Sequence, residues 1–150
     1  MLKEIMDAIA DQLEANLSPT DGVVLHIEPR AFAIAETPAI DMLITSPTGL
    51  EAELAGFGQV YGGIPITIRV RVSTADVYAG EDMLLELMDW DGGLSIIAAL
   101  DADRTLGGVV DSIRWADGFP WTGYVDFPMS DDSGVLLGSL LPIVVLPSVS

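Results

Sequence analysis

The chain has 150 residues, half of them apolar, no cysteine, and 23 Asp and Glu against 6 Lys and Arg, for a net charge of −17. That length and apolar share suit one domain with a real core rather than a disordered chain. The missing cysteines exclude disulfides, thiolate chemistry and Cys-based zinc sites and fit a reducing cytosol, and the acidity argues against phosphate-backbone binding and against anionic membranes.

Leu2, Ile5, Met6, Ile9, Leu13 and Leu17 recur at helical spacing, opposite Lys3, Glu4, Asp7, Asp11 and Glu14. This predicts an amphipathic helix over 2–17, and its acidic residues are wrong for a secretory signal. Ser18-Pro19-Thr20-Asp21-Gly22 ends it. A strand is expected over Val23–Ile27, then an Ala-rich link, then a second strand over Pro38–Thr45 with Ile40, Met42 and Ile44 on one face. Ser46-Pro47-Thr48-Gly49 reads as a turn, and Gly56, Gly58, Gly62 and Gly63 predict a loop around Phe57 and Tyr61.

The clearest period-two pattern follows. Ile64, Ile66, Ile68, Val70 and Val72 share one face; Thr67, Arg69, Arg71 and Ser73 share the other. Ser73 or Thr74 is expected to cap a helix through Trp90 that buries Met83, Leu84, Leu87 and Met88 and stops at Gly92-Gly93. Ser95 caps a short helix through Leu100, and Asp101–Gly108 is a tight polar connection. Strands are expected over Val109–Trp115, Trp121–Phe127 and Val135–Leu146, with Asp131–Gly134 as the last turn. The order is α+β, a single domain over 1–150, with a mixed or antiparallel sheet and helices on one face.

The chemistry-bearing residues are sparse. His26 is the only histidine, so paired-His metal sites are absent within one chain. No Gly-x-Ser-x-Gly elbow occurs, and Gly107-Gly108 is followed by neither lysine nor helix, so it is a turn rather than a phosphate cradle. Asp101 and Asp103 could hold a divalent cation or simply cap a helix end; the residues favour the second. No catalytic, cofactor or metal site is assigned.

Arg69 and Arg71 should find carboxylates, within the subunit or across an interface. Val135–Leu146 is apolar on both faces, as in a strand covered twice or an arm buried by a neighbour, and Pro142 and Pro147 favour an edge or arm. Arg69, Arg71, Leu140, Leu141, Ile143 and Val145 are therefore the expected subunit-interface residues.

The ordered pattern of Leu2–Leu17, Pro38-Ala39-Ile40-Asp41, Ile66–Ser73 with Thr74-Ala75-Asp76, Asp103-Arg104-Thr105-Leu106-Gly107-Gly108 and the final apolar strand resembles the tail terminator proteins of long-tailed, siphovirus-type bacteriophages, especially those of actinobacteria. The segments 46–63 and 116–133 match least, and nothing is implied for them. The resemblance implies a virion protein of the tail–neck junction, assembled in the host cytoplasm without a cofactor. It implies six copies in a ring that caps the tail tube, stops its polymerisation and joins the tail to the neck. The major tail tube protein and a head-closure protein would be its partners, and DNA would pass through the lumen without specific binding. Another neck component is the alternative within the same class. A small acidic hydrolase and a monomeric binding module are the alternatives outside it.

Overall fold

The computed structural model describes residues 1–19, 22–31, 36–45, 63–128 and 135–148. The elements run α1 (Leu2–Asn16), β1 (His26–Ile27), β2 (Ala39–Ile44), β3 (Ile64–Val72), α2 (Val77–Met88), α3 (Ile96–Asp101), β4 (Val110–Arg114), β5 (Tyr124–Pro128) and β6 (Val135–Pro147). The expected turn at 46–49, the glycine loop beyond it and the turn at 131–134 lie outside the described residues.

Among the described residues, one six-stranded sheet runs in the order β1-β2-β3-β6-β4, with β5 also paired to β6. β1 and β2 are parallel; all other pairs are antiparallel. The α+β expectation holds, with the sheet mixed and the three helices among the described residues sharing one core with one of its faces. Ile5, Ile9 and Leu13 of α1, Leu84 and Leu87 of α2, and Ile96 and Leu100 of α3 meet Ile40, Met42, Ile66, Ile68, Ile113, Leu141, Ile143 and Val145 there. The period-two pattern of β3 and the helical stripe of α1 produce this layer directly, except that Leu2 lies in the first turn and is exposed.

β6 corrects the arm reading. It is an interior strand: β3 pairs one edge from Leu137 to Val145, while β5 and β4 divide the other, taking Val135–Ser139 and Val144–Pro147. Leu140 accepts the Thr122 N–H at 2.9 Å, and its own N–H reaches Thr122 Oγ1 at 3.3 Å. Backbone groups alternate in direction along a strand, so the ring nitrogen of Pro142 faces that same edge, in the gap between β5 and β4. Pro147 faces the other way, beyond the last β3 partner. Pro142 therefore stands where no ladder bond is lost among the described residues, which lets a central strand contain it.

Smaller corrections follow the same logic. β1 has two residues rather than five, and β5 begins at Tyr124, leaving Trp121 buried ahead of it. Asp76, not Ser73 or Thr74, caps α2: its Oδ1 accepts the Ala79 N–H at 3.1 Å, while Ser73 Oγ accepts that of Ala75. α2 ends at Met88, before Trp90. Ser95 caps α3 as expected, accepting the Ala98 N–H at 3.0 Å.

α2 sits unusually close to the chain that feeds it. A Cβ on Gly80 would lie 2.1 Å from the Ser73 carbonyl oxygen. On helix propensity alone, Gly80→Ala would stabilise by about 1 kcal/mol. The backbone collision reverses the sign, and the variant should lose about 1–3 kcal/mol, read as a lower urea midpoint.

Candidate functional site

Two features stand out, one polar and one apolar. The polar one lies on the sheet face away from the helices. Asp41 of β2 is directly opposite Arg69 of β3, and Arg71 is the next residue on that face. Arg69 grips Asp41 with both arms of its fork, Nε at 2.8 Å from Oδ1 and Nη2 on Oδ2, and Arg71 Nη2 reaches Oδ2 at 3.1 Å. Asp41 is 0% exposed and Arg71 4%. Burial, and then the neighbouring Arg69 charge, push the Arg71 guanidinium below its usual pKa, with Asp41 acting in the opposite direction.

The Arg69 guanidinium lies 5.8 Å from the centroid of the Phe127 ring. Phe127 in turn lies across Gly138, where a Cβ would come within 2.6 Å of the ring. Here glycine makes room for an aromatic side chain that supports a buried ion cluster.

Arg69 and Arg71 both bind a carboxylate of their own subunit, one of the two partners the sequence allows for them. Leu141, Ile143 and Val145 are 0%, 1% and 0% exposed in the core of the same chain. The helices of the same chain already cover these three side chains. Leu140 is half-buried on the opposite sheet face.

The apolar feature is a cleft of about 510 Å3, in the size range of small ligand sites, where β1, the cis Thr37-Pro38 peptide and the start of α2 converge. Val23, Val24, Pro38, Val72, Ala79 and Met83 supply most of its apolar lining. Three of its polar groups are engaged locally: Asp76 caps α2, Ser73 holds the turn before it, and His26 Nε2 is 3.5 Å from Glu36. The site is suited to receiving apolar side chains. Its residues come from three separated segments, so no single motif could have revealed it.

The loop after α3 uses its carboxylates structurally. Asp101 holds Arg104 Nε at 2.6 Å. Asp103 accepts the Thr105 hydroxyl, the Thr105 N–H and the Gly107 N–H, which hold its carboxyl below the usual carboxylate range. These bonds fix a turn in which Leu106, Gly107 and Gly108 all have positive φ. Among the described residues, no group of three or more His, Asp or Glu is placed to hold a metal ion, and no helix is long and apolar enough to cross a membrane. No model of a known protein family matches the chain, and no curated protein matches it.

Proposed function

We propose that this protein is a structural assembly subunit of the tail-terminator kind, closing into a ring, hexameric by the family resemblance, at the end of a long phage tail. The ring ends growth of the tail tube and joins it to the neck, with the tube protein and a head-closure protein as partners. The apolar cleft at the start of α2 carries this reading. A neighbouring copy can fill such a cleft with apolar side chains and needs no basic residues, which this chain has few of to offer. A contact that uses one surface on each copy and a different surface on the next closes into a ring when its rotation permits. The net charge of −17 supports the same role, since a negative lumen repels DNA and lets it slide.

Val24 tests the contact. It lines the cleft and is 66% exposed, so Val24→Asp should change stability by no more than about 0.5 kcal/mol while placing a charge in the apolar contact. The expected result is a folded chain whose oligomer is lost, read by light scattering beside a thermal melt. An oligomer as large and as stable as that of the unaltered chain would remove the cleft from the assembly.

A further inference from the structure

We infer that the outward stripe of α2, with the adjoining Trp90–Phe119 pair, is a docking surface for a different protein, one that presents arginine or lysine beside apolar side chains. Tyr78, Leu85, Trp90 and Phe119 are 83%, 50%, 52% and 59% exposed. Trp90 and Phe119 meet edge to face with ring centroids 6.4 Å apart, so two large aromatic side chains are paired at the surface rather than in the core. Along α2 and its C-cap, Tyr78, Asp82, Leu85 and Asp89 fall within roughly a 60° arc over about 16 Å, an alternation of apolar and acidic groups on one line. Asp91, next to Trp90 in the chain, and Asp117, two residues before Phe119, are both exposed. Exposed aromatic groups rimmed by charge are characteristic of protein contacts.

The acidic rim decides what the partner carries. Arginine and lysine answer both parts of the surface, pairing with the carboxylates and lying over the aromatic faces. A second copy of this chain fits poorly. Of its six basic residues, Arg69 and Arg71 bind Asp41, Arg30 pairs with Asp7, and Arg104 pairs with Asp101 and lies over Trp115. Only Lys3 and Arg114 lack an ion pair among the described residues. Self-contact here would set acidic surface against acidic surface, and nucleic acid would meet the same repulsion. The inference is independent of the ring, because the cleft uses Asp76, Ala79, Gly80 and Met83, on another side of the helix.

The test is an NMR titration of the full chain with a short amphipathic helical peptide carrying arginine and leucine on one face, beside a counterpart with glutamate in place of arginine. The arginine peptide should shift the Trp90 indole and the amides of 78–91 and 117–119; the glutamate peptide should not. Trp90→Ala with Phe119→Ala should weaken binding by about tenfold or more, and so should Asp91→Lys with Asp117→Lys, with thermal midpoints unchanged. Shifts that fall elsewhere, no shifts at all, or equal binding of the glutamate peptide would overturn the inference. Loss of the protein's own oligomer in the aromatic double variant would also overturn it, because the surface would then be a contact between copies.

Discussion

Asp41→Ala should lower the stability of the fold by about 3–5 kcal/mol, the cost of removing one member of a buried ion cluster. Arg71 would keep its buried position without the carboxylate that it shares with Arg69. Domains of this kind hold only about 5–15 kcal/mol in total, so the variant should be marginal at physiological temperature. Urea unfolding would show a lower midpoint with little change in slope. Asp41→Asn should fall between the two, since an amide keeps the hydrogen bonds but not the charge. Replacing Asp41, Arg69 and Arg71 together by Leu and Met should restore much of the loss, because a buried ion cluster exchanged for apolar groups is often neutral or better. A single Asp41→Ala variant as stable as the original chain would show that the cluster is not neutralised in the way its geometry indicates.

Ending the chain after Ser139 should give no cooperatively folded product. The truncation removes Leu141, Ile143, Val144, Val145 and Leu146, each no more than 7% exposed, and with them every residue that β4 pairs. Each buried aliphatic side chain lost from a core costs about 2–5 kcal/mol, so the sum exceeds the stability of the domain several times over. Loss of dispersed amide signals and of a thermal transition would be the readout. A folded truncated chain that merely failed to associate would instead make β6 an arm.

The contrast over β6 shows what sequence pattern conveys. Its doubly apolar character was legible, but an interior strand and a swapped arm share that pattern, and Pro142 tipped the reading the wrong way. What reconciles proline with a central position is the gap between β5 and β4, a matter of pairing register that the local sequence does not encode. β3 was read in full because strict alternation of Ile and Val with Thr and Arg allows one orientation on a half-buried face. The same alternation placed Arg69 and Arg71 together and required a carboxylate for them. Which carboxylate depended on the β2–β3 register, which sets Asp41 opposite Arg69.

Ser73, Thr74 and Asp76 all have capping chemistry, so the local sequence does not select the cap of α2; the choice rests on where the chain leaves β3. The cleft and the Trp90–Phe119 pair join residues distant in sequence, and aromatic residues in a sequence ordinarily read as core. Tyr124 is a further case: it tethers β5 to α2 by donating its hydroxyl to Glu81 at 2.7 Å, and burial followed by that contact pushes its phenol up to about 12.

The central claim is that this acidic α+β domain assembles with copies of itself into a closed ring. The most direct measurement is the solution mass of the full chain by light scattering across protein and salt concentration. The account predicts a discrete oligomer, six copies by the family resemblance, that persists or grows stronger with salt because its contact is apolar and its subunits repel one another by charge. A monomer at every concentration and salt would contradict it.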